Sequence, residues 1–234
     1  MRYQYRILQT GTLPLRPDSS YQRVEHRCTS ALIWPTGVAP TPENSVLTDP
    51  CFTFAGFAEA RKVAAEVGIN LSDIRHVFNT HGHGDHLLNF PPGVERPAVA
   101  WFRPVTDVLS ETEIVPCPGH SEDSCALVFR DDAGIQVWVA GDAVLDRDWL
   151  VAWGYYWPNG YLREEIIQTY HSVAKILSGD IIIPGHGEPI KVTADLCDEL
   201  DRRFDLAEYA RECGVVRQQV QQRAKALRLS QSED

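Results

Sequence analysis

Three histidines and an aspartate fall within six residues, in the run Thr80-His81-Gly82-His83-Gly84-Asp85-His86. Imidazole nitrogens together with a carboxylate oxygen suit zinc, iron or manganese better than calcium. Gly82 and Gly84 remove side-chain bulk between the ligands and let the backbone turn tightly. His81 and His83 can then face one side, and Asp85 and His86 a neighbouring position. Packed together without a cation, three imidazoles would repel once protonated. The run therefore reads as a metal site and not as a set of loop histidines.

Three further positions repeat one pattern. Pro118-Gly119-His120 follows the apolar run Glu113–Val115, Gly141-Asp142 ends the run Gln136–Ala140, and Pro184-Gly185-His186-Gly187 ends the run Ile181–Ile183. Each is a candidate strand, then a glycine, then one residue able to bind metal. Alone, each would more often be a turn residue. Beside the histidine cluster they read as strand ends converging on one site.

The elements that must carry these residues follow from periodicity. Short β-branched or apolar runs bounded by Gly, Pro, Asp or Asn predict strands at Ala31–Trp34, Ser45–Thr48, His76–Asn79, Ala98–Phe102, Cys125–Phe129, Gln136–Ala140 and Ile181–Ile183. Helical spacing of apolar residues predicts helices over Phe57–Val67, stopped by Gly68, and over Leu162–Leu177, followed by Gly179. A third helical stretch is expected over about 194–228, with a break at Gly214. Its acidic first half and basic last turns complement a helix dipole. It reads as a solvated amphipathic helix closing the domain, with a homodimer contact as the other use of its apolar stripe. No linker divides the chain, so a single mixed α/β domain over residues 1–234 is expected.

The ordered set of His81, His83, Asp85, His86, His120, Asp142 and His186, with Thr48-Asp49-Pro50 ahead of it, resembles the five-motif signature of the metallo-β-lactamase superfamily. The resemblance spans about Ser45 to Ile190. Within the superfamily, the phrases THGHGDHLLN, PGHSEDS, VAGD and IIIPGHGEP are most similar to small stand-alone members. The resemblance implies an α/β fold, the αβ/βα four-layer sandwich, with the metal site at one sheet edge. It further implies two divalent metal ions, expected to be zinc, with iron or manganese as the other candidates. One would take His81, His83 and His120, the other Asp85, His86 and His186, and Asp142 would bridge them. Asp49 would orient ligands by hydrogen bonds.

With those ligands, a water between the ions would lose its proton near neutral pH and attack as hydroxide. Asp85 is the candidate catalytic residue for relaying the proton. No serine elbow of the GxSxG type occurs. True β-lactamases of the superfamily lack a bridging carboxylate at the Asp142 position, so β-lactams are not the expected substrate. Acyl-homoserine lactonases of the best-known type carry a tyrosine three residues after the bridging aspartate, where this chain has Leu145. The expected function is therefore hydrolysis of a small ester, thioester or lactone. A metal-dependent phosphodiesterase or ribonuclease and a mononuclear iron persulfide dioxygenase are the alternatives. The aromatic stretch Trp149–Gly160 is expected to wall the pocket, with Trp153, Tyr155, Tyr156 and Trp157 as candidate substrate contacts. One of the two phenols would serve as an oxyanion donor.

Composition sets the outer bounds. The 234 residues include 32 acidic and 22 basic side chains, for a net charge of −10. That balance argues against sequence-independent nucleic-acid binding, which runs on phosphate neutralisation; a small-molecule substrate is expected instead. No uninterrupted apolar stretch reaches the length of a membrane span, and no secretory signal opens the sequence. A cytoplasmic protein with no membrane partner is the expectation, with the six scattered cysteines as reduced thiols. Cys117, three residues before His120, reads as a buried thiol and not as a ligand.

Overall fold

A computed structural model describes residues 1–98 and 105–231. Two sheets carry the chain. The first runs in the order β1 (Tyr3–Gln9), β2 (Ser30–Pro35), β3 (Val46–Thr48) and β4 (His76–Phe78). The second runs β5 (Glu113–Pro116), β6 (Cys125–Arg130), β7 (Gln136–Gly141), β8 (Ile181–Pro184) and β9 (Ile190–Lys191). Each sheet holds one parallel pair, β3 with β4 and β7 with β8, and is otherwise antiparallel.

Alternation along the strands explains the layers. Ala31 and Ile33 of β2, Leu127 and Phe129 of β6, and Val137 and Val139 of β7 face one another in the core between the sheets. Their neighbours turn outward. Leu32, Trp34 and Leu47 meet Phe57, Ala60 and Ala64 of α1 (Phe54–Glu66). Val128, Trp138 and Ile182 meet α4 (Arg163–Ile176), α5 (Ala194–Arg203) and α6 (Gly214–Gln231). Two short helices, α2 (Val105–Val108) and α3 (Arg147–Val151), complete the set among the described residues. Helix, sheet, sheet, helix is the expected four-layer α/β sandwich.

Local chemistry sets several helix ends. Thr53 caps α1 by accepting from Gly56 N at 3.1 Å, and Thr193 caps α5 by accepting from Leu196 N at 3.1 Å. Glu165 reaches back to Leu162 N at 2.7 Å to start α4.

Most expected strands and the first two helices appear within a few residues of their predicted bounds. The run 98–102 lies, apart from Ala98, outside the described residues. The C-terminal stretch departs from expectation. The chain leaves α5 at Phe204 and passes through two 3₁₀ turns before α6 begins at Gly214. Tyr209 takes a left-handed φ of 60° in that connection. Burial of Phe204 edge-on against Trp153, and Arg217 bonding back to Asp201 and Asp205, fold α6 onto α5. One continuous rod could not bury both apolar faces.

Candidate metal centre

The site forms where the C-terminal ends of five strands meet. Asp49 follows β3, His81 to His86 follow β4, His120 follows β5, Asp142 follows β7 and His186 follows β8. Backbone bonds tie these loops together. Cys125 N donates to Thr80 O at 2.9 Å, Gly185 N to Gly141 O at 2.9 Å, and His186 N to Leu145 O at 2.7 Å. Two glycines permit the approach. A Cβ on Gly185 would lie 1.8 Å from Asp142 Oδ1. Gly141 has a φ of 52°, and a Cβ there would sit 2.1 Å from Thr80 Oγ1.

Seven side chains gather in two groups, His81 with His83 and His120, and Asp85 with His86, Asp142 and His186. Within each group one ligand atom per residue lies within 4.8 Å of the others. Asp142 faces both groups. Its Oδ2 lies 3.3 Å from His120 Nε2, while its Oδ1 lies 3.1 Å from His86 Nε2 and 3.2 Å from His186 Nε2. All but His83 and Asp85 are buried.

The rings are oriented by their other nitrogens. Asp49 takes Thr80 N at 2.8 Å on Oδ1 and the Thr80 hydroxyl at 2.9 Å on Oδ2, and that Oδ2 also sits 3.0 Å from His86 Nδ1. The Thr80 hydroxyl has one hydrogen, given to Asp49, so it accepts from His81 Nδ1 at 3.1 Å. His186 Nδ1 donates to the Arg27 carbonyl at 2.8 Å. The opposite atoms of these three rings, His81 Nε2, His86 Nε2 and His186 Nε2, are buried without a hydrogen bond, as is Asp142 Oδ1. Buried polar atoms ordinarily find partners. His86 Nε2 and His186 Nε2 lie 3.1 and 3.2 Å from Asp142 Oδ1, and orphaned lone-pair atoms gathered in this way fit a divalent cation with nitrogen and oxygen ligands. Further oriented imidazoles backed by a carboxylate or carbonyl are the usual support of such an ion.

The electrostatics agree. Burial would raise the Asp142 carboxyl, but His186, His86 and His120 outweigh it and hold the group well below the usual carboxylate range. Burial also works against charge on His86, yet Asp142 and Asp49 pull it well above the imidazole range. Asp85 is raised by burial and lowered more strongly by a bond from His26 and by His86. Burial takes His120 down to about 4 and lowers His81, against a smaller pull from Asp142. The carboxylates stay ionised in a deep site.

A cleft of about 190 Å³ opens over the cluster, walled by Leu13, His26, Leu145, Tyr156 and Asn159. The four aromatic candidates separate. Tyr156 walls the cleft, with its ring 6.1 Å from that of His26. The Tyr155 hydroxyl donates to Glu208 at 2.5 Å, away from the ligands, which pushes its phenol up to about 12. Trp153 is buried, with its indole N–H on the Leu200 carbonyl at 2.9 Å, and together with Tyr155 it lines an aromatic slot beside His120 and Asp142. Trp157 is half exposed and does not wall the cleft. Cys117 is fully buried, and burial takes its thiol to about 11.

Two residues near the cluster escaped the sequence reading. His26 lies 3.1 Å from Asp85 Oδ2, with its ring 5.2 Å from that of His186. It comes from the long irregular segment between β1 and β2, where no periodicity or motif marks it. The Tyr161 hydroxyl is 2.8 Å from His120 Nδ1. It stands one residue past the aromatic stretch Trp149–Gly160.

The sequence and the fold have counterparts among known proteins. The family model for the metallo-beta-lactamase superfamily matches residues 26–113. Over those residues the chain resembles that superfamily. It is 32% identical over 146 residues to metallo-beta-lactamase domain-containing protein 1 of Xenopus laevis, a match spanning 53% of this chain and 59% of the relative. Among solved structures, a putative metallo-beta-lactamase from Thermotoga maritima superposes with a TM-score of 0.53 at 18% identity. That match covers 82% of this chain and all of the other. The hydrolase AbOPH of the beta lactamase superfamily gives a TM-score of 0.52 at 12% identity, covering 79% of this chain and 87% of its own. At such identities these two structures speak for the fold.

Proposed function

We propose that the chain is a dinuclear metal-dependent hydrolase, with zinc as the metal and a small ester, thioester or lactone as substrate. The observation that carries the reading is Asp142, whose two oxygens face two separate groups of ligand atoms at 3.1–3.3 Å. His81, His83 and His120 would hold one ion and Asp85, His86 and His186 the other. When bound, the ions supply Lewis acidity and make water acidic enough to act as a nucleophile near neutral pH.

The protein's own residues do the rest. Asp49 fixes the His86 ring directly and the His81 ring through Thr80. Asp85 is the more exposed of the two ligand carboxylates, at 31% against 6% for Asp142, and it borders the cleft. That position makes it the carboxylate through which a proton would be relayed between the cleft and the ligands, by brief acceptance and return to its ionised form. Leu13, Leu145 and Tyr156 give the cleft an apolar wall suited to a small acyl group.

The test is metal content by elemental analysis after loading, followed by a panel of chromogenic esters, thioesters, lactones, phosphodiesters and β-lactams. Two ions per chain with turnover of an acyl substrate, abolished by chelation and restored by zinc, is the expected result. A single iron with persulfide oxidation, or turnover confined to phosphodiesters, would overturn it.

A further inference from the structure

We infer that Tyr161 is a further residue of the active site: it holds His120 in the tautomer that binds metal, and metal binding in turn frees its hydroxyl hydrogen for the substrate. This rests on the metal reading above.

Three atoms carry the argument. Tyr161 Oη lies 2.8 Å from His120 Nδ1, and Asn159 Nδ2 donates to the same Oη at 3.0 Å. The two rings stand 5.9 Å apart, and Tyr161 walls a narrow aromatic slot beside His120 and Asp142. A phenol has one hydrogen to give and can accept from other donors, while a neutral imidazole has one N–H and one lone pair.

His120 Nε2 is the atom that faces the cluster, 2.9 Å from His83 Nδ1 and 3.3 Å from Asp142 Oδ2. A cation on Nε2 needs the lone pair there, which puts the ring hydrogen on Nδ1. That N–H donates to Tyr161 Oη. The oxygen then accepts from both His120 and Asn159, and its own O–H has no partner in this trio. With the opposite tautomer the phenol instead donates to Nδ1 and is spent. Loading the three-histidine group therefore exposes a neutral donor next to the cleft, where negative charge grows on a substrate oxygen during acyl transfer. Tyr155 cannot serve this way, because its hydroxyl is committed to Glu208.

Tyr161→Phe keeps the ring and removes the oxygen. Zinc affinity is read by competition with a chromophoric chelator, and kcat and KM on whichever chromogenic ester or lactone the wild type turns over fastest. The expected result is a drop of about 10- to 100-fold in zinc affinity for one of the two ions. At saturating zinc, kcat falls by a further ~10²-fold with KM nearly constant. Asn159→Leu leaves Oη able to accept from His120 and should keep wild-type zinc affinity. Wild-type affinity in Tyr161→Phe, full recovery of kcat at saturating zinc, or equal zinc loss in Asn159→Leu would each overturn the inference. A wild-type chain that takes up no zinc would sink the metal reading as well, and so is distinguishable from these.

Discussion

The two groups of ligands both use histidines and share the Asp142 carboxylate, but they are held by different means. His81 leans on the Thr80 hydroxyl and His120 on the Tyr161 hydroxyl, both neutral. His86 and His186 face the Asp49 carboxylate and the Arg27 carbonyl, and Asp85 adds a carboxylate of its own. The three-histidine group therefore has Asp142 as its only anionic partner within ligand distance among the described residues. The other group has Asp142 and Asp85. A cation in the first depends on the shared carboxylate for its electrostatic hold, and a cation in the second does not. The two should differ in affinity, and in which substitutions dislodge them.

The largest effect tests that dependence. Asp142→Ala removes the one anion between the groups. Unit charges about 4 Å apart at an effective dielectric of 20 interact by roughly 4 kcal/mol, on the order of 10³ in affinity. The variant should retain one zinc per chain, bound to Asp85, His86 and His186, and lose turnover. Elemental analysis giving one zinc per chain in Asp142→Ala, an ion that a further His186→Ala removes and a further His81→Ala does not, separates the groups directly. Two firmly bound zinc ions in Asp142→Ala would break the comparison.

A smaller effect is expected at Asp49, which serves both groups. It contacts His86 and, through Thr80, orients His81. Asp49 takes a left-handed φ of 41°, a conformation that asparagine tolerates well. Asp49→Asn should therefore keep the fold while weakening zinc binding at both groups by about 10- to 100-fold. Loss confined to a single ion, measured by chelator competition, would show that one of the two links carries no energy.

The ligand set was legible because each member stands right after a strand run and a glycine, or within the dense His81–His86 motif. The means of holding it were less so. Asp49 was visible through Thr48-Asp49-Pro50. Thr80, Arg27 and Tyr161 were not, because hydroxyls and carbonyls are everywhere in a sequence and only the fold aims them. The fold shows the same division. Strands with an outward and an inward apolar face announced themselves. The edge strand β1 did not, although Tyr3, Tyr5 and Ile7 do alternate toward the inter-sheet core. The adjacent Ile7 and Leu8 and the polar Gln9 cut that alternation short. Between α5 and α6 the chain turns over residues 204–213; Gly214 marks where that turn ends, but no glycine or proline marks where it begins. It turns because Phe204 finds Trp153, a contact between residues 51 positions apart.

The smallest predicted effect is also the most selective. Thr80 supports the His81 ring and has no bond to His86 or His186. Valine matches threonine in shape, which the site demands, because the Thr80 side chain fills the space a Cβ on Gly141 would need. Thr80→Val removes the acceptor for His81 Nδ1–H while the backbone bond from residue 80 to Asp49 Oδ1 remains. His81 loses its preference for the ligating tautomer, but its ring stays packed 4.7 Å from His83 and 4.8 Å from His120. The expected outcome is about a tenfold weakening of one zinc ion, the low end of what such supporting contacts are worth. The second ion should hold at wild-type affinity. Thr80→Ser restores the hydroxyl and should restore the first. Equal weakening of both ions in Thr80→Val would mean that Asp49, deprived of the hydroxyl, had let His86 move. The two groups would then be one coupled unit and not two independently supported sites.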